Sequence, residues 1–419
     1  MLLYRLGLLA ILLAPADLTS QAAAASRALN HGFDPARLAR IDTFLQSYVD
    51  SGRIAGAVLV VMRDGAVVYE RAVGWADREA NRRMTPTSLF RIASQTKALT
   101  STAIMMLVEE GKIALTDPVS RFIPAYAATR VAITADSIVP AVHPITIREL
   151  LTHTAGISYG TSETVASRYA QRGLGPEAGY GWYTADKNEP ICTTMETLAT
   201  LPFVRQPGSA FVYGYNTDIL GCVVERASGV SLDEFIRERI TRPLGMADTY
   251  FYVPPSNRER LVAVYANDSS GRLYRAPEGA RGQGHYVDGP RRSFSGGAGL
   301  VSTARDYARF LQMLLNGGEL NGARLLAPGT VRLMTTNQID TLFSRNDMGF
   351  GLGFSVVERV GADNTPAAVG TFAWGGAYGS NYRVDPVNRL VIAFMINQLP
   401  LRTDVAAKVP FLVYQAMLR

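Results

Sequence analysis

Ser94 and Lys97 stand three residues apart in RIASQTKALTSTAIMMLVEEGK, residues 91–112 of a 419-residue chain. Residues at i and i+3 share one face of a helix, so this hydroxyl and amine can meet without help from elsewhere in the fold. A serine hydroxyl is a poor nucleophile at neutral pH and needs a base beside it. Lys97 serves as that base only as the free amine, the form that burial favours. A serine at the opening of a helix also carries a backbone N–H that can receive an oxyanion. Alone, S-x-x-K is a short pattern whose plain alternative is a helix start with a solvated lysine, and its context must decide.

A second serine competes. Gly156-Ile157-Ser158-Tyr159-Gly160 matches G-x-S-x-G, a nucleophile elbow that requires a strand entering the serine and a helix leaving it. Here Ser158 follows a short helix announced by Thr146 and Glu149 and enters a Gly/Tyr-rich stretch. The only histidines are His31, His143, His153 and His285, and no convincing Asp-then-His order follows Ser158. Ser158 is therefore expected to be incidental, and His153 to fix a loop by hydrogen bonding.

Two further stretches could complete a site. Tyr213 and Tyr215 flank Gly214 in PGSAFVYGYNTDILG, on a turn before a helix that begins near Thr217. A tyrosine there could extend a proton relay, or both rings could simply pack the core. Trp374-Gly375-Gly376-Ala377 ends an apolar strand. Paired glycines let a ligand approach the backbone, and the Ala377 N–H could oppose that of Ser94; the plain alternative is a tight bend in an edge strand.

The elements that must position these groups are legible in outline. Leu99, Ala103, Met106 and Leu107 recur at helical spacing, with Gly111 as a left-handed cap. Two apolar, β-branched runs over 55–77 flank Asp64-Gly65, a strong hairpin signal. Ser231 with Glu234, and Thr303 with Asp306, open further helices, the latter stopping at Gly317-Gly318. Strands are expected within 351–360, 370–376, 380–385 and 390–398, and a final helix over about 403–417. Strands near both termini predict an α+β fold with one antiparallel sheet built from both chain ends and flanked by helices. The division expected is an α/β domain from 26–115 and 296–419 and a mostly helical insertion over 116–295. The stretches 158–190 and 253–298 read as lid-like loops, and a site is expected in the cleft between the two parts.

Residues 1–25 read as an export signal: Arg5, a short apolar run, and A-x-A at Ala23–Ala25. The mature protein is then expected in the periplasm or secreted, with no stable membrane insertion after signal removal. Net charge is +6 with lysines and arginines scattered, which excludes a nucleic-acid footprint. Cys192 and Cys222 are expected to be free or buried thiols, since a chain of this size needs no staple. No cluster of Cys or His suggests a metal. Oligomeric state is not legible in the residues.

Ser94-x-x-Lys97, Tyr213-x-Tyr215 and Trp374-Gly375-Gly376 resemble, in order and spacing, the serine β-lactamase-like superfamily. LLTHTAGISYG, GGAGLVSTARDYARF and WGGAYGSNYRVDP extend the resemblance from about residue 55 to 398. It is nearest to the family VIII carboxylesterases, relatives of class C β-lactamases and D,D-peptidases. The resemblance implies a β-lactamase/D,D-peptidase-like fold, no cofactor, and a small-molecule ester substrate. It implies Ser94 as the acylated nucleophile, Lys97 as its base, and Tyr213 sharing proton transfer. The N–H groups of Ser94 and Ala377 would form the oxyanion hole, and Tyr215, Trp374, Gly375 and Gly376 would contact substrate.

Two departures bear on the substrate. Class C β-lactamases carry Tyr-x-Asn where Tyr215 stands, although the adjacent Asn216 could reach the site in a register shifted by one. They also carry Lys-Thr-Gly where Trp374 replaces the lysine. A lysine there would hold a substrate carboxylate by a charge-assisted hydrogen bond worth about 1.5–3 kcal/mol. Tryptophan offers an indole donor and an apolar wall, which favours neutral esters. The rival readings are a β-lactamase or D,D-peptidase-like hydrolase, an acyltransferase, and a penicillin-recognising receptor that is acylated without turnover.

Overall fold

The computed structural model describes residues 16–176, 184–344 and 346–418. Residues 1–15 of the expected export signal and 177–183 of the expected lid lie outside the described residues. The chain is first described as a helix, α1 (Ala16–Asn30). It is followed by α2 (Pro35–Asp50), whose start is set by Asp34: its carboxylate accepts the amides of Ala36 and Arg37, and Pro35 occupies the first turn.

Asp64-Gly65 does form a hairpin. It joins β1 (Gly56–Arg63) to β2 (Ala66–Asp77), with both turn residues at positive φ, +51° and +80°. The other neighbour of β1 comes from the far end of the chain, where Val58 pairs with Met395 and Arg63 with Leu390. The resulting eight-stranded antiparallel sheet runs, from one edge, Met348–Phe350, Ser355–Val357, Phe372–Gly375, Gly379–Asp385, Leu390–Asn397, β1, β2 and β3 (Arg82–Arg83). The edge strands Met348–Phe350 and β3 were not expected; both are too short to show a period.

Leu390–Asn397 is buried throughout and β1 nearly so, because helices cover both faces of the sheet centre. On one face Ile41 and Leu45 of α2 and Val409 and Val413 of Val405–Tyr414 pack with Leu59, Val61, Ile392 and Phe394. On the other, Val58, Val60, Ala393 and Met395 join a larger cluster containing Leu99, Ala103, Tyr307 and Leu311. These alternate residues along β1 feed opposite cores, as the two-residue strand repeat demands.

The middle of the chain is more ordered than its composition suggests. Residues 158–190 contain a short helix, Ala166–Ala170, and 253–298 contain a hairpin, Tyr265–Asn267 with Leu273–Arg275. The cysteine expectation is corrected: Cys192 and Cys222 form a disulfide with Cα atoms 5.0 Å apart. They lie on the helices Ile191–Ala199 and Asn216–Ser228, which pack against each other through one core. That proximity is a property of the packing and leaves no mark on sequence spacing.

Candidate active site

The nucleophile candidate enters from strain. The pair Phe90–Arg91 with Val301–Ser302 leads to Ala93, whose φ of +43° is uncommon for a residue with a Cβ. A 3-10 turn, Ala93–Gln95, then runs into α3 (Thr96–Glu109), buried from Thr96 to Leu107. Ser94 is 7% exposed and Lys97 2%. Lys97 Nζ lies 3.2 Å from Ser94 Oγ and donates to Gly297 O at 2.8 Å and to the Tyr159 hydroxyl at 3.0 Å, which uses the two N–H groups of a free amine and leaves its lone pair for the Ser94 hydroxyl.

Gly297 is aimed by close packing. A Cβ there would meet the Asp218 carboxylate at 2.4 Å, and one at Gly296 would meet Thr217 O at 2.5 Å. Only glycines let this segment lie against Asn216–Ser228. Buried Asp218 accepts from the Gly297 amide at 3.1 Å and from the Ser295 hydroxyl. Burial pushes the Asp218 carboxyl up, while Lys97 and those donors pull it back.

Tyr159 was missed as a candidate. It immediately follows Ser158 in the stretch expected to be an incidental elbow. A Cβ on Gly214 would meet Ile157 O at 2.1 Å, so the Tyr213–Tyr215 turn is pressed onto the 157–159 loop. The rings of Tyr159 and Tyr213 consequently meet edge to face, centroids 5.7 Å apart. Burial first, then the neighbouring Tyr213, Asp218 and Tyr215, hold the Tyr159 phenol well above its ordinary range, so it stays protonated. Tyr213 presents its ring 4.7 Å from Lys97 Nζ, and its hydroxyl accepts the Trp374 indole N–H at 3.1 Å.

Ser94, Tyr159, Tyr213, Trp374, Gly375, Gly376 and Ala377 line one cleft of about 370 Å3. The glycine pair allows a close approach of protein to protein: a Cβ on Gly376 would meet Ile92 O at 2.4 Å. The end of strand Phe372–Gly375 thereby reaches the backbone leading into Ser94, and Ala377 lands beside it.

Two expected contacts are corrected. Tyr215 is 1% exposed, its hydroxyl accepts Gly175 N at 3.1 Å, and its ring backs Tyr159 at 4.8 Å. It lies behind the Tyr159 wall and is not among the residues that line the cleft. Asn216 is wholly buried and turns its amide to His153 Nδ1 at 2.9 Å, so the shifted register fails. His153 does fix this loop, and burial, with Lys97 nearby, holds its imidazole well below its ordinary range. Ser158 is buried with its Oγ accepting from Gly160 N at 3.1 Å, and no strand-to-helix elbow surrounds it. His285 pairs with Asp186. Among the described residues, no group of three or more His, Cys, Asp or Glu could hold a metal.

Residues 41–415 match the family model described as Beta-lactamase. The chain belongs to the Beta-lactamase family. Protein Rv1367c of Mycobacterium tuberculosis is 37% identical over 391 residues, 87% of this chain and 91% of its own. Esterase EstB of Burkholderia gladioli is 34% identical over 374 residues, 86% of this chain and 90% of its own. The solved structure of EstCE1, described as a hydrolase with promiscuous acyltransferase activity, superposes with a TM-score of 0.76. It is 29% identical and covers 91% of this chain and 99% of that one. The antiparallel sheet with flanking helices is the architecture the resemblance implied, and the protein is a β-lactamase-fold hydrolase.

Proposed function

We propose that the protein hydrolyses carboxylic esters of small molecules through an acyl-enzyme on Ser94. The observation that carries the reading is the Lys97 amine 3.2 Å from Ser94 Oγ, at the foot of a cleft whose lining, among the described residues, has no cationic side chain. The esterase relative EstB supports the same class of substrate.

In this reading Lys97 takes the Ser94 proton as Oγ attacks the ester carbonyl. The amides of Ser94 and Ala377 receive the oxyanion. Tyr159, in hydrogen-bond contact with Lys97, relays the proton toward the departing alkoxide, and Tyr213 completes the leaving-group wall. A water attacking the acyl-enzyme retraces the path with the same groups. The Trp374 indole, engaged by Tyr213, offers no charge to a substrate carboxylate, so neutral esters are favoured over β-lactams and peptide C-termini.

A fluorophosphonate followed by mass spectrometry is expected to tag Ser94, and a short-chain nitrophenyl ester to turn over faster than a chromogenic cephalosporin. A tag on Ser158, or preference for the cephalosporin, overturns the reading. The promiscuous acyltransferase activity ascribed to EstCE1 favours a second outcome, transfer of the acyl group to an added alcohol, which an acylated alcohol product would reveal.

We further propose that the protein is exported, a reading supported by the Cys192–Cys222 disulfide, which persists in oxidising compartments. Among the described residues no helix is long and apolar enough to cross a membrane. N-terminal sequencing of the recovered protein is expected to begin just after Ala25; intact Met1 in the cell interior overturns it.

A further inference from the structure

Aromatic rings continue the wall of the Ser94 cleft beyond the residues that line it. Tyr213 and Trp374 belong to the lining, with ring centroids 5.4 Å apart, and the Tyr213 hydroxyl fixes the indole by its N–H at 3.1 Å. Phe343 stands 6.3 Å from Trp374, and Phe211 stands 4.9 Å from Phe343. Trp374, Phe343 and Phe211 all rest on one ring. Phe350, 1% exposed, lies 5.4, 5.3 and 5.0 Å from them in that order.

Phe350 is thus core, but the rings packed on it are not. Phe211, Tyr213, Phe343 and Trp374 are each only half-buried. Scattered apolar side chains at a surface need no explanation, whereas a contiguous apolar set left partly open beside a cleft marks a ligand surface. A ligand ring that joins such a set meets it edge to face or offset, the positive edge of one ring on the negative face of another. A saturated ring of equal size buries similar area but has no such faces.

We propose that Trp374, Phe343 and Phe211 form a subsite for an aromatic ring on the alcohol side of the ester, so that the enzyme selects arylmethyl esters. The proposal rests on the ester-hydrolysis reading above, in which Tyr213 stands at the leaving-group wall; Phe211, two residues before Tyr213, extends that wall. Ser94 Oγ takes the acyl group, its proton leaves with the arylmethyl alkoxide as the free alcohol, and water then releases the acid.

Steady-state kinetics on benzyl acetate and cyclohexylmethyl acetate test the subsite, since the two alcohols are alike in size and both are poor leaving groups. Methyl acetate, whose alcohol carries no ring, reports ester hydrolysis alone. The parent is expected to favour the benzyl over the cyclohexylmethyl ester in kcat/KM by about three- to tenfold. Phe343→Leu, which keeps apolar bulk, is expected to lose most of that ratio, and Phe343→Tyr, which keeps the ring, to preserve it. No preference in the parent, or an undiminished one in Phe343→Leu, overturns the subsite, and continued turnover of methyl acetate then leaves the esterase reading standing. If Phe343→Leu does not fold, Phe211→Leu is expected to lower the ratio, and an unchanged ratio there overturns the subsite as well. Calorimetric titration with benzyl alcohol and cyclohexylmethanol reads the same preference without chemistry. Tighter binding of benzyl alcohol is expected, and equal binding overturns the subsite. Hydrolysis of none of these esters overturns the esterase reading instead.

Discussion

Lys97 Nζ donates to the hydroxyl of Tyr159, 62 residues away, at 3.0 Å, and not to that of Tyr213. In the proposed reading the two tyrosines divide the proton transfer that the resemblance gave to Tyr213 alone. Tyr159 touches the amine, while Tyr213 is tied to Trp374 and presents a ring face to Lys97.

Removing a positioned proton-transfer group costs about a hundred- to ten-thousandfold. Lys97→Met is expected to lower kcat/KM on a nitrophenyl ester by about a thousandfold, and Tyr159→Phe by about a hundredfold. Tyr213→Phe should cost less than Tyr159→Phe. Steady-state kinetics on folded variants check the order, and a larger loss at Tyr213 reverses the assignment of the two hydroxyls.

Trp374→Lys places a cation at the end of strand Phe372–Gly375, in the cleft wall. A charge-assisted hydrogen bond to a substrate carboxylate should lower KM for a cephalosporin by about ten- to a hundredfold. Ester turnover should fall, because Tyr213 loses its indole partner. Parallel kinetics on both substrates would show an unchanged cephalosporin KM if the indole does not set this preference.

Asp218→Asn removes the buried carboxylate that accepts Gly297 N and the Ser295 hydroxyl. Both donors share Oδ1, which asparagine keeps only as a neutral amide oxygen, so two hydrogen bonds to a charged acceptor weaken to neutral ones at a cost of about 1–2 kcal/mol. The Gly297 carbonyl should drift from Lys97, so kcat should fall more than KM rises. Urea unfolding together with kinetics separates the two effects.

The carboxyl of Asp306 is pushed up to about 6, chiefly by burial, although it accepts Asp248 N at 2.7 Å and the Thr249 hydroxyl at 3.3 Å. An acid whose folded pKa exceeds its unfolded one gives stability that is complete at low pH. That stability is lost as pH rises through about 6. Asp306→Asn should therefore be stabilising relative to the parent above pH 6, by up to about 3 kcal/mol, and show no advantage near pH 4. Urea midpoints at the two pH values test the sign.

The Cys192–Cys222 bridge spans 30 residues of sequence. Closing a loop of that length is worth about 3–4 kcal/mol in the chain-entropy account. Dithiothreitol should lower Tm in the parent and leave the Cys192→Ser/Cys222→Ser variant, already less stable, unmoved. Equal Tm values for parent and variant would remove the bridge from the stability of this helix pair.

Local signals carried most of the architecture. The Asp64-Gly65 turn, the Thr146 and Thr303 caps and the Ser94–Lys97 spacing each state their own geometry within a few residues, and each appears in the structure. What escaped depends on packing between distant segments. Tyr159 meets Lys97 only because Gly214 lets one loop press on another, and Tyr215 is turned away by the Gly175 amide. Asp34-Pro35 is likewise a local start signal, realised at the opening of α2. Gly375 and Gly376 were read as room for a ligand, whereas at Gly376 the room is filled by the Ile92 carbonyl.

The pairing of β1 with Leu390–Asn397 has a bearing on biosynthesis. A ribosome delivers β1 with its hairpin partner β2 long before Leu390–Asn397, so the seam between β1 and that strand stays open while the residues between them are made. Contacts this far apart along the chain also form slowly. A seam closed so late keeps the two halves of the sheet apart until both are made, which accords with the export proposed above.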